Sequence, residues 1–130
     1  MLVVGEKINV ISIEIGGAMK ERNAEPIIAL AKAQLDGGAD ILDINIGPAS
    51  KDGHELMPWL VETVQGAVDC RLCLDTTNVK AMEAGLKVTK GKPMINSAQR
   101  SLHRATSTSG PTPSSCNLTA NLLARRFSSR

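Results

Sequence analysis

No run in this sequence approaches the ~18 consecutive apolar residues that a membrane-spanning helix needs, so none is expected. The opening, Met1 to Lys7, lacks the basic segment and apolar run of a secretory signal. Cysteine is scarce and odd in number, at three, which fits a reducing compartment better than a disulfide framework. These absences together lead us to expect a cytoplasmic protein. Residues 97–130 lack still more: they hold no Asp, Glu or Lys, and Phe127 is their one aromatic. Nucleic-acid surfaces combine basic residues with stacking aromatics, so five arginines spread over that stretch make a weak case. Neither a nucleic-acid nor a membrane partner is expected.

What is present divides in two. Residues 1–96 carry ten Lys/Arg against all thirteen Asp/Glu, a balance of −3, whereas residues 97–130 carry only arginine, a balance of +5. The overall +2 describes neither piece. Ser and Thr supply 12 of the last 34 residues, and Gly110-Pro111-Thr112-Pro113 is turn-like. That composition predicts a disordered tail, with a boundary near residue 97.

The first piece alternates two kinds of segment. Leu2-Val3-Val4, Ile41 to Ile46, Leu72-Cys73-Leu74 and Pro93-Met94-Ile95 are short runs apolar at nearly every position, as in parallel strands covered on both faces. Between them lie helical patterns. Asn23 can cap a helix that begins at Ala24, carries Ile27, Leu30, Ala31 and Leu35 on one face, and ends at Gly37-Gly38. Asp52 and Glu55 form a capping-box-like start for a helix bearing Trp59, Leu60, Val64 and Val68. A third helix is expected from Thr77 or Asn78, with Val79, Met82 and Leu86 on one side. Strand and helix in this rhythm imply right-handed crossovers and a parallel sheet.

Polar residues recur where those strands end. Asn9 follows the first run, Asp43 and Asn45 sit in the second, Asp75 closes the third and Asn96 the fourth. In parallel α/β folds ligands bind at the carboxyl ends of strands. A carboxylate in an apolar strand is costly unless it is paired or meets a ligand. Asp43 and Asn45 are two apart, so both point to one face of a regular strand.

The segments Gly5-Glu6-Lys7-Ile8-Asn9, Leu42-Asp43-Ile44-Asn45-Ile46-Gly47-Pro48, Leu72-Cys73-Leu74-Asp75-Thr76-Thr77-Asn78 and Pro93-Met94-Ile95-Asn96-Ser97 resemble successive motifs of the pterin-binding family. Within it they are most similar to the methyltetrahydrofolate:corrinoid/iron-sulfur protein methyltransferases. The resemblance implies the N-terminal portion of a (β/α)8 TIM barrel, about three βα units and a fourth strand over residues 1–97, followed by an irregular tail over 98–130. It implies methyltetrahydrofolate as substrate, a corrinoid (cobalamin) carried by a partner protein, and a homodimer for the intact enzyme. Asp75 suits the two adjacent donors on a pterin edge, because a carboxylate accepts two parallel hydrogen bonds. Asn96 can read mixed donors and acceptors, and Asp43, Asn45 and Asn9 complete the expected pterin-binding set. The family assists the N5 leaving group from an Asn on a later strand. No motif after residue 97 matches it, so no catalytic residue is assigned and no methyl transfer by this chain is expected.

Other signals carry less. Cys70 and Cys73 have CxxC spacing but run into a strand, so neither a redox pair nor a metal site is expected. His54 reads as a surface residue, and His103 has no evident partner. Gly16-Gly17 is expected in the loop after the first strand. Three explanations fit the whole. One is a methyltransferase whose reading frame breaks near residue 97. A second is a short pterin-binding or self-associating protein. The third is another pterin enzyme, such as dihydropteroate synthase or the folate module of methionine synthase.

Overall fold

The computed structural model describes residues 1–47 and 51–96. In chain order the elements are β1 (Val4–Asn9), α1 (Ile13–Glu21), α2 (Ala24–Asp36), β2 (Ile41–Asn45), α3 (Gly53–Ala67), β3 (Arg71–Asp75), α4 (Val79–Val88) and β4 (Met94–Asn96). The four strands form one sheet in the order β1-β2-β3-β4, and every neighbouring pair is parallel. These residues form the N-terminal part of a (β/α)8 barrel: three βα units and a fourth strand, with an extra helix in the first unit. Expectations about Pro48, Ser97, the tail and His103 lie outside the described residues.

Helix starts follow local chemistry. The Asn23 side chain accepts from Glu25 N at 3.3 Å, so the expected cap forms, and Asn78 caps α4 by accepting from Ala81 N at 3.2 Å. Asp52 occupies the cap position of α3 but makes no side-chain cap bond. Its carboxylate turns instead to Arg22, 3.1 Å away, which also lies over the Trp59 ring at 5.4 Å. A charged partner displaces the capping box that Asp52 and Glu55 suggested.

Two expectations about the first unit are corrected. The first strand covers Val4–Asn9 rather than 2–4, and Leu2 and Val3 are exposed. Gly16-Gly17 belongs to α1, not to a loop. Glycine lowers helix propensity, but a Cβ on Gly16 would stand 2.3 Å from the Val10 carbonyl oxygen. The close approach of α1 to the end of β1 therefore requires glycine there. Ser12 starts this helix by accepting from Ile15 N, and Arg22, in the left-handed region at φ 55°, ends it.

The two faces of the sheet differ. Ile8, Leu42, Ile44, Leu72 and Leu74 are fully buried in one apolar cluster with residues of all four helices. Ile41, Asp43, Cys73 and Asp75 alternate with them and belong to the opposite face, the inside of the barrel wall. Strand β1 carries an irregularity that pairs Gly5 with Leu42 and Ile8 with Ile44, so Glu6 and Lys7 together stand opposite Asp43. Such bulges re-aim side chains and recur next to active sites. The Lys7 N–H is taken by Gln34 Oε1 of α2 at 3.0 Å.

Candidate functional site

The last residues of the four strands share one rung of the sheet. Asn9 pairs with Asn45, Asn45 with Asp75, and Asp75 with Asn96. Four polar residues in register at the carboxyl ends of parallel strands lie where barrel active sites are built.

Asp75 is the hub of this rung. Asn45 Nδ2 donates to its Oδ2 at 2.9 Å, and Asn96 Nδ2 donates to the same oxygen at 3.4 Å. Among the described residues, Oδ1 receives no hydrogen bond, so the carboxylate is oriented from both sides yet keeps acceptor capacity. Asn45 is itself fixed, because its Oδ1 accepts from Gly47 N at 2.8 Å. Gly47 sits at φ 74°, a conformation that side chains other than glycine rarely adopt. Asn9 shares the rung, but its Oδ1 accepts from Ile11 N at 3.0 Å and shapes the loop beyond β1.

One pleat deeper lies Asp43, 5% exposed, whose Oδ1 is buried without a hydrogen-bond partner. Cys73 pairs with it in register and is 4% exposed. Burial pushes the Asp43 carboxyl above its usual range; a hydrogen bond from the Cys73 thiol works the other way, and the charges of Asp75 and Glu6 add to the upward push. Burial likewise pushes the Cys73 thiol up to about 12, with help from the adjacent Asp43. Both Cys70 and Cys73 are free thiols, and Cys70 precedes the strand.

The structure thus links Asn45, Asp75 and Asn96 directly, places Asn9 beside them, and puts Asp43 on the same face below. Sequence reasoning missed Thr76, which is buried. Its hydroxyl donates to Gly47 O at 2.9 Å and accepts from Asn78 N at 3.1 Å, tying the loops after β2 and β3 together. It also missed Glu6, brought opposite Asp43 by the bulge, and Cys73, which pairs with Asp43 in register. The even spacing of Cys73 and Asp75 on one strand was the available signal that both share a face. His54 is exposed, with Glu55 at 3.8 Å. Among the described residues there is no group of three or more His, Cys, Asp or Glu able to hold a metal, and no helix long and apolar enough to cross a membrane.

The sequence profile of the pterin-binding enzymes matches residues 8–108, and the chain belongs to that family. Among curated proteins it is similar to the methylcorrinoid:tetrahydrofolate methyltransferase of Eubacterium limosum, at 30% identity over 97 residues. That alignment covers 75% of this chain and 36% of the relative, so the chain spans about a third of the relative's length.

Proposed function

We propose that this chain supplies pterin-binding strand ends for the passage of a methyl group between N5 of a tetrahydrofolate and a corrinoid on a partner protein. The observation that carries the reading is the double donation onto one oxygen of Asp75. Two amides hold that carboxylate in place, leaving capacity to accept the exocyclic amine and adjacent ring N–H of a pterin. Asn96 then meets a mixed edge of the ring, Asp43 lies deeper in the pocket, and Asn9 stands at its rim. The relative's name gives the transfer from corrinoid to folate, the reverse of the direction expected from the motifs. A pterin pocket serves both directions, because the same transition state is crossed either way.

The residues of this chain bind and orient; none of its matched motifs supplies the group that hydrogen bonds to N5 as the amine leaves. The intact enzyme is read as a cytoplasmic homodimer. Titration of the full chain with methyltetrahydrofolate, followed by calorimetry, tests the reading. Saturable binding is expected, weakened by about 10–100-fold in Asp75→Asn, because the amide cannot accept both donors. Wild-type affinity in Asp75→Asn would remove the basis of the proposal. Equal or tighter binding of a dihydropteroate synthase substrate would favour that enzyme class instead.

A further inference from the structure

The parallel sheet runs in the order β1-β2-β3-β4, so β1 and β4 each present one edge that is unpaired among the described residues. Exposed apolar side chains gather at those two edges. Met1, Leu2, Val3, Ile11 and Ile13 flank β1, Met94 lies in β4 and Val79 opens the helix before it, whereas β2, α3 and β3 expose no large apolar residue. A single exposed apolar residue is ordinary, but a set confined to two unpaired edges marks a surface that is covered in use. The two edges also differ in charge. A groove of about 680 Å³ beside β1 is lined by Ile11, Ile15 and Leu30 and carries two acids, Glu6 and Glu14, against Lys7. Residues 79–96, which include α4 and β4, hold Lys80, Lys87, Lys90 and Lys92 against Glu83, and all four lysines are exposed.

We propose that two copies of this chain pair edge to edge, β1 of each against β4 of the other, about a twofold axis that runs along the barrel. The occupant follows from strand number. Two sheets of four parallel strands make the eight of a (β/α)8 barrel, and the twofold arrangement joins both pairs of edges at once, leaving none open. Charge favours the same pairing, because the lysines of the α4–β4 side approach the acidic groove beside β1. Pairing β1 with β1 would instead bring two acidic grooves together and leave both β4 edges unpaired. The assembly stands independently of the pterin reading. It deepens that reading by bringing Asn96 beside the partner subunit's Asn9, so that the polar strand ends continue across each junction and both copies wall the pocket.

Sedimentation equilibrium of the full chain is expected to give the mass of two chains. Two charge-reversed variants locate the contact: Glu6→Lys with Glu14→Lys on the β1 side, and Lys87→Glu with Lys92→Glu on the β4 side. All four side chains are exposed, so both variants should keep the fold, which circular dichroism checks. Each variant alone places like charges at both junctions and is expected to weaken dimerisation at least about tenfold. An equimolar mixture of the two places opposite charges at both junctions and restores the dimer. A monomeric wild type, as when another segment of the same chain covers an edge, overturns the proposal, and so do open-ended oligomers. A mixture that stays monomeric overturns it too, as does a Lys87/Lys92 variant that dimerises like wild type, since that pattern belongs to a β1–β1 contact. A dimer that does not bind methyltetrahydrofolate overturns the pterin reading alone, and a monomer that binds it overturns only the assembly.

Discussion

Strands β2 and β3 carry Leu42, Ile44, Leu72 and Leu74 toward the helices, and Asp43, Asn45, Cys73 and Asp75 toward the inside of the barrel wall. Adjacent residues of the same two strands therefore do different work. On the outer face contact is dense and nonspecific in chemistry: Leu74 lies wholly buried, and a Cβ on Gly85 would meet Met57 and Leu74 at 2.5 and 3.2 Å. On the inner face Asn45 and Asn96 meet one oxygen of Asp75 at 2.9 and 3.4 Å, and two carboxylate oxygens have no hydrogen-bond partner among the described residues. Stability is concentrated on one side and recognition on the other. Dense packing tolerates little change in volume, whereas a hydrogen-bonded rung tolerates little change in donor and acceptor pattern.

The largest effect that would sharpen this contrast is on the outer face. Leu74→Ala leaves a cavity between β3 and the α3–α4 pair and is expected to cost about 2–5 kcal/mol. Chemical denaturation reads that loss, and pterin affinity of the folded protein should stay near the wild-type value. A large fall in affinity with little loss of stability would break the separation. Thr76→Val is intermediate, because Thr76 is a structural residue at the recognition end. It removes both the bond to Gly47 O and the bond from Asn78 N, at an expected cost of about 1–3 kcal/mol. Here affinity should fall together with stability, since the loops after β2 and β3 lose their tie. Unchanged affinity would mean that the rung holds its geometry without them.

The same contrast explains what the sequence made legible. Asn45, Asp75 and Asn96 stood out because each interrupts an apolar run at the same end of successive strands, and the structure puts them in register. The first strand was harder to read, because the bulge at Glu6 and Lys7 breaks the pattern where it matters. Leu2-Val3-Val4 therefore looked more strand-like than the residues that pair. Helix α1 was hidden for another reason. Its glycine answers to a tertiary contact with Val10, which no local propensity encodes. Cys73 was obscured by its spacing from Cys70, which drew attention to a thiol pair instead of to the carboxylate across the sheet.

The smallest expected effect is a change that depends on pH and not on volume. Burial raises the Asp43 carboxyl above the value it has in the unfolded chain, so over the window between the two values the folded protein holds a proton that the unfolded chain has released. Stability then falls as pH rises through that window, and the cost of the buried charge is fully present above the folded value. Asp43→Asn, similar in shape and uncharged, escapes this cost. The variant should be more stable than wild type near neutral pH, and its advantage should shrink as pH falls through the folded value toward the unfolded one. Denaturation midpoints of both proteins at a series of pH values measure the difference. A constant gap would show that Asp43 does not titrate between those limits and that its charge is compensated inside the barrel wall. If the gap closes and Asp43→Asn also loses pterin affinity, the stability cost and the recognition belong to the same carboxylate. The inner face would then hold a charge at the expense of folding because the ligand needs it there.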